Sequence, residues 1–163
     1  MSHSLAGEPP SAGRRAAPMT TAVYSAAEWD LLTTLPGRVL VAAAAPAPGW
    51  PPRGISAGLA GLDAVAAGRA SDSDLVRAVV AAIYARHDGG STPTDGLAGL
   101  VDLLGDCRAV VRVLRRRADP ADSAAYRQWV ESVGVRVCHA RDLTGPADRR
   151  FLDRLGGALG LRR

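Results

Sequence analysis

The chain has 163 residues, 47% hydrophobic and 22% charged, which is the balance of one globular domain and excludes a wholly disordered or fibrous protein. Its formal charge is +4, with no lysine, so all 20 basic residues are arginine. That excess is mild for a dedicated nucleic-acid binder, and two cysteines are too few for a disulfide framework or a structural zinc site.

Residues 1–22, MSHSLAGEPPSAGRRAAPMTTA, are rich in Pro, Gly, Ser and Ala and poor in large apolar groups. Such a segment buries too little surface to offset its ordering entropy, so a disordered tail is expected, followed by one helical domain over 23–163. Met19, where this composition ends, is an alternative start. Arg14-Arg15 is not followed by the apolar core of a secretory or twin-arginine signal. The longest apolar run, Val39 to Trp50, is too short to span a membrane and holds two prolines. A cytoplasmic location is expected.

Ser25-Ala-Ala-Glu28 matches a capping box and opens a helix carrying Trp29, Leu32 and Leu35, which should end or kink at Pro36. RVLVAAAA after Gly37 is apolar on every side, as a buried central helix is. A proline-stiffened connection, APAPGWPPRG, then leads to a short helix over 55–67. Gly54, Gly58 and Gly61 share one face there and would admit a close neighbour. Ser71-Asp-Ser-Asp74 caps a helix running to about Arg86, with Leu75, Val76, Val79, Val80 and Ile83 on its inner side. His87 to Asp95 reads as a loop.

The two longest helices follow, over about 95–117 and 120–141, joined tightly at Ala118-Asp119-Pro120. In the first, Leu97, Leu100, Leu104, Cys107, Val111 and Leu114 repeat every three or four residues, which predicts a lengthwise packed seam. In the second, Tyr126, Trp129, Val130, Val133, Val137 and Ala140 form another apolar stripe. A final helix over about 146–159 presents Phe151, Leu152, Leu155 and Leu159. No alternating strand pattern competes. The expected fold is therefore all-α, a single compact domain of six to seven helices with a long antiparallel helical hairpin.

RAVVRVLRRR, residues 108–117, packs five arginines into ten positions. At about 100° per residue, Arg108, Arg112, Arg115 and Arg116 fall in a sector roughly 100° wide beside the seam. The macrodipole favours cations at a helix C-terminus, and arginine stems can cover the edge of a core, so a solvated helix end explains them without a ligand. As a binding face they favour an acidic protein partner. Nucleic acid would call for stacking aromatics, and none of the chain's seven lies in this helix.

Cys138 and His139 are adjacent, but neighbours on a helix point about 100° apart and cannot activate each other. In the expected hairpin, Cys107 and Cys138 are offset by about 10 Å along the axis, beyond disulfide reach, so both should be reduced. No phosphate loop, dinucleotide fingerprint, HExxH, GxSxG or calcium loop occurs. Nothing at the level of motifs supports an enzyme or a bound cofactor. An active site without such motifs would need an interhelical pocket, for instance near Trp129. Val135 points away from its helix's main stripe and offers a contact for a homodimer.

The C-terminal stretch RDLTGPADRRFLDRLGGALGL, Arg141 to Leu161, resembles the last loop and helix of TerB-like (tellurite-resistance) domains. These are compact all-α modules. The resemblance implies a divalent metal site with Asp142 and Asp148 at the acidic positions. The chain departs from that pattern at Leu143, where glycine is expected, and at Arg149 and Arg150, which flank Asp148. The first reading of function is a non-enzymatic accessory module that binds another protein; the alternative is a TerB-like metal- or ligand-binding domain.

Overall fold

The computed structural model describes residues 21–45, 53–88, 99–140 and 144–162. They form six α-helices: α1 (Ala26–Ala44), α2 (Gly54–Ala67), α3 (Asp74–Asp88), α4 (Leu100–Arg117), α5 (Pro120–Cys138) and α6 (Pro146–Ala158). A single 3-10 turn, Gly68–Ala70, links α2 towards α3, and no strand occurs among the described residues. The chain is all-α. Of the expected tail over 1–22, residues 1–20 lie outside the described residues, as does Leu97 of the expected seam, while Thr21 and Ala22 are helical.

Two helices organise the others. α1 lies against α2, α3, α4 and α5, and α5 touches every other helix. Leu32, Leu35 and Val39 of α1 recur at one helical face and are fully buried, as are Tyr126, Val130 and Val133 of α5. Leu75, Val76, Val79 and Val80 of α3 close the same core from a third side. A second, smaller cluster joins Ala43, Ala57, Val137, Cys138 and Leu152 where α1, α2, α5 and α6 meet.

The helix starts follow the local chemistry. Ser25 Oγ accepts from the Glu28 amide at 3.1 Å, and the Ser25 amide donates to Glu28 Oε2 at 2.9 Å, completing the capping box. At α3, Ser73 Oγ accepts from the Val76 amide at 3.3 Å and donates to Asp122 Oδ1 of α5 at 2.7 Å. α6 ends at Gly160, whose φ of 69° permits the Leu161 amide to reach back to Gly156 O at 2.9 Å.

Three expectations are corrected. α1 runs on through Pro36 to Ala44, so of the two outcomes expected there, an end or a kink, the end is overturned. Proline removes the N–H that would bond the Leu32 carbonyl, and the buried Tyr126 hydroxyl supplies the missing donor at 2.7 Å. In α4 the buried residues are Leu103, Cys107, Val110, Val111, Val113 and Leu114, while Leu100 and Leu104 are only half-buried. At about 100° per residue this edge is turned by roughly 60° from the expected seam. A heptad seam serves one partner, whereas α4 must cover α1, α5 and α6 and needs a wider edge.

The third concerns the α2 glycines. Only Gly61 lies at a close approach, where a Cβ would stand 2.6 Å from Leu40 Cγ and 2.8 Å from Val137 Cγ2. Gly54 and Gly58 face open space. Gly68 takes the comparable role against Trp129, and Gly134 against Leu155.

Candidate functional site

The outward turn of α4 follows from where its valines point. With Val110 and Val113 drawn into the core, the arginine sector lies roughly 160° from the centre of the buried edge, on the back of the helix. Arg108, Arg112, Arg115 and Arg116 are all exposed. The sequence placed them beside the packed edge; the structure places them opposite it. Val101, 81% exposed, shares their face about two turns nearer the N-terminus, within ~20° of the direction of Arg108.

The five arginines divide into two groups. Arg116 Nη2 lies 3.4 Å from Glu28 Oε1, and Arg117 Nε lies 3.4 Å from Glu28 Oε2, so the first turn of α1 draws in the last turn of α4. Glu28 is held below its ordinary value of 4.5, first by its backbone hydrogen bond at Ser25 and then by these two guanidinium groups. Arg108, Arg112 and Arg115 have no hydrogen bond or ion pair among the described residues. They stand about one turn apart as an unpaired basic row.

Other charged pairs are absorbed into the scaffold. Arg38 of α1 pairs with Asp106 of α4, and Arg86 of α3 reaches Asp30 of α1 at 2.6 Å. Asp148, one of the two acidic residues to which the TerB-like resemblance points, is buried at the start of α6. Its Oδ2 accepts from the Gly145 amide at 3.1 Å, and its Oδ1 pairs with Arg53 at the start of α2. Both oxygens are thus engaged. Asp142 lies outside the described residues. Among the described residues, no three His, Cys, Asp or Glu side chains converge as a metal site would require.

The remaining chemical groups are similarly placed. Cys107 and Cys138 are free thiols, both buried, in the two different core clusters. Burial pushes Cys107 up to about 12, and burial also raises Cys138. His139 is exposed, whereas Cys138 beside it in the chain is buried. Trp129 is buried, and its Nε1 donates to Ala64 O at 3.1 Å. Gly68 is pressed against its ring, where a Cβ would stand 2.8 Å from Trp129 Cε2. Val135 is half-buried against the second core cluster, so part of its surface is already used within the chain.

A shallow cleft of about 250 Å³ does exist, between Tyr24, Leu75 and the Ala118-Asp119 joint, with Arg117 and Asp122 at its rim. It is smaller than the ~300–1,000 Å³ of ordinary ligand pockets. Tyr24 there is raised, by burial first and then by Asp122 and Glu28, so its phenol stays protonated. The cleft brings together no nucleophile with a base.

The chain matches no protein-family model, no curated protein and no solved structure. No helix among the described residues is long and apolar enough to cross a membrane.

Proposed function

We propose that this protein is a non-catalytic helical module that binds an acidic surface of another protein through Arg108, Arg112, Arg115 and Arg116. The observation that carries the reading is the contrast along α4. Arg116 and Arg117 are drawn to Glu28, whereas Arg108, Arg112 and Arg115 stand exposed and unpaired on the side of the helix facing away from the core. A rigid helix presenting guanidinium groups at successive turns matches carboxylates on a facing helix or strand. Their stems, with Val101, give the face an apolar component beside its charge.

An acidic protein fits this face better than nucleic acid. Tyr126 and Trp129 are buried in the core, and the α4 face contains no aromatic ring on which a base could stack. The proposed setting is the cytoplasm, where the two buried thiols stay reduced.

The test is capture from a lysate of the source cells with a photo-crosslinker placed along α4. Wild-type protein should retain a protein partner crosslinked to that helix, in a salt-sensitive manner. Changing Arg108, Arg112, Arg115 and Arg116 together to Glu should abolish capture with an unaltered circular dichroism spectrum. Equal capture by the variant removes the reading. Capture that nuclease treatment abolishes would reassign the face to nucleic acid.

A further inference from the structure

The unpaired basic surface does not end with α4. Among the described residues, Arg108, Arg112, Arg115, Arg136, Arg150 and Arg154 make no hydrogen bond, ion pair or ring contact, and all are exposed. Arg150 and Arg154 stand about one turn apart on α6, and the packing of α6 decides which way they point. Gly156 lies against α5, where a Cβ would stand 2.9 Å from Glu131 Oε1, and Leu152 and Leu155 meet Gly134 of the same helix. At about 100° per residue, Arg154 is about 160° and Arg150 about 120° round α6 from Gly156. Apart from α5, α6 packs chiefly against α4, so both arginines lie on the flank turned towards α4.

α4 presents its own row to the same place. Asp106 pairs with Arg38 of α1, which fixes the flank of α4 that faces α1. Arg108 and Arg115 are about 160° and 180° round the helix from Asp106, and Arg112 about 120°, so this row borders α6. The two rows line the rims of one groove between α4 and α6, with Leu104 and Phe151 half-buried beneath them. The carboxylates of the two helices do not share it. Asp106 is engaged with Arg38, Asp148 with Arg53 and Asp153 with Arg162, while Asp102 points about 120° away from Arg108.

We infer that this groove seats an acidic helix of the partner protein, with carboxylates of successive turns set between the two rows of arginine. The inference rests on the reading of the α4 row as a binding face and extends that face to α6. Charge argues for the occupant, because five guanidinium groups without counter-charge favour whatever anion lies between them. The chain's own remaining segments cannot supply it. Residues 1–20, 46–52, 89–98, 141–143 and 163 hold three acidic side chains, Glu8, Asp95 and Asp142, against four arginines, Arg14, Arg15, Arg141 and Arg163.

Shape argues for a helix. Packed helices stand ~8–10 Å apart, and a third laid in the groove between them presents side chains at i, i+3, i+4 and i+7 along two neighbouring lines. Those lines rise by the same ~1.5 Å per residue as the arginine rows, so carboxylates and guanidinium groups stay in step. An extended segment turns every second side chain away and offers the groove a single line. A nucleic-acid base finds no platform, since Phe151, the aromatic ring on this flank, is packed against both core clusters.

Fluorescence anisotropy of the full chain with labelled synthetic peptides tests this. The probe is a hydrocarbon-stapled helix bearing Glu along two adjacent lines, and the control is a proline-interrupted peptide of the same net charge. The stapled helix should bind in a salt-sensitive manner, and the control about tenfold more weakly. Arg150→Glu with Arg154→Glu should weaken the stapled helix by about tenfold, with an unaltered circular dichroism spectrum. Arg150→Gln with Arg154→Gln, which removes charge without reversing it, should weaken it by about threefold and serves if the reversed pair does not fold. Unchanged affinity in the α6 variants, with binding lost when Arg108, Arg112 and Arg115 become Glu, overturns the groove and leaves the α4 row standing alone. Equal affinity for the proline-interrupted peptide overturns the helical occupant, as does tighter binding of a single-stranded oligonucleotide of equal charge. Failure of the stapled helix to bind wild-type protein overturns the inference whatever the lysate capture shows, so the two proposals fail separately.

Discussion

Tyr126 of α5 donates its hydroxyl to the Leu32 carbonyl of α1 at 2.7 Å, and Leu32 is the residue whose carbonyl Pro36 leaves without an N–H donor. Both residues are fully buried. The pairing resolves two problems with one bond: a phenol in an apolar core needs an acceptor, and a helix interrupted by proline needs a donor. Tyr126→Phe should therefore cost about 1–3 kcal/mol, since it strands a buried carbonyl. Pro36→Ala restores the backbone donor, so the cost of Tyr126→Phe should shrink in that background. Chemical denaturation of the four proteins measures the coupling as a double-mutant cycle. Simple additivity would show that the hydroxyl and the proline are not linked.

A buried ion pair fastens α6 to the start of α2. Arg53 and Asp148 side chains are about nine-tenths covered, and Arg53 Nε and Nη1 have no other partner among the described residues. Asp148→Ala removes the Gly145 cap and leaves the guanidinium buried without its counter-charge. Breaking one side of such a pair should destabilise the fold by about 3–5 kcal/mol. Replacing both residues, Arg53→Leu with Asp148→Asn, should recover most of the loss, because the asparagine side-chain oxygen can still accept from the Gly145 amide. Equilibrium unfolding in urea provides the measurement.

The sequence disclosed those parts of the fold in which a residue acts on its own neighbours. Ser25 and Glu28 form their box from positions three apart, and Gly160 ends α6 through its own left-handed backbone. The tight joint at Ala118-Asp119 was similarly readable. What the sequence did not disclose depends on distant partners. Nothing local indicates that Tyr126 would reach Leu32, ninety-four residues away, and let α1 continue through Pro36. The rotation of α4 has the same origin. Leu100, Leu104 and Val111 suggest a seam when α4 is considered alone, but three neighbouring helices recruit Val110 and Val113 as well. That rotation moved the arginines from the flank to the back of the helix, so the candidate site was legible as a cluster but not in its orientation. The exposure of Ile55, Leu59 and Leu62 on α2 was missed outright. It depends on which side the core claims, and a helix hydrophobic on every side reads as a buried one.

Thiol chemistry should follow burial. Cys107 titrates at about 12 and Cys138 above its ordinary value, so neither supplies thiolate at neutral pH. A disulfide exchange reagent at pH 8 should label neither site in the native protein and both in guanidinium chloride. The same displacement carries a pH dependence with a definite sign. An unfolded thiol ionises near its ordinary value of 9, while folded Cys107 holds its proton to about 12. Stability from this group is complete below pH 9 and is lost as the pH rises from 9 towards 12. Cys107→Ala should flatten that alkaline decline while lowering stability at pH 7.

The start of α1 should respond at the acid end. Glu28 is held below 4.5, chiefly by the Ser25 amide, so its contribution is fully present above that pH. It is lost as the pH falls through the depressed folded value, when the carboxylate gains a proton and releases both the cap and the arginines. Glu28→Gln should remove this part of the acid response, and Ser25→Ala should cost about 1 kcal/mol at pH 7. Unfolding curves between pH 2 and pH 7 compare the three proteins; an unchanged slope in Glu28→Gln would show that the box contributes nothing to acid sensitivity.

Two glycines inside helices should respond in opposite directions to the same substitution. At Gly61 of α2, an added methyl would stand 2.6 Å from Leu40 Cγ and 2.8 Å from Val137 Cγ2, neither of which is the free end of a long side chain. Relief would require α2 to move away from α1 and α5 together. Gly61→Ala should therefore destabilise by about 1–3 kcal/mol, despite alanine's better helix propensity. At Gly105 of α4 there is nothing within 4 Å of the added atom, so only the backbone effect remains. Gly105→Ala should stabilise by up to about 1 kcal/mol. Thermal and urea unfolding of the two variants separate the effects, and a stabilised Gly61→Ala would mean that the α1–α2–α5 contact is looser than its geometry.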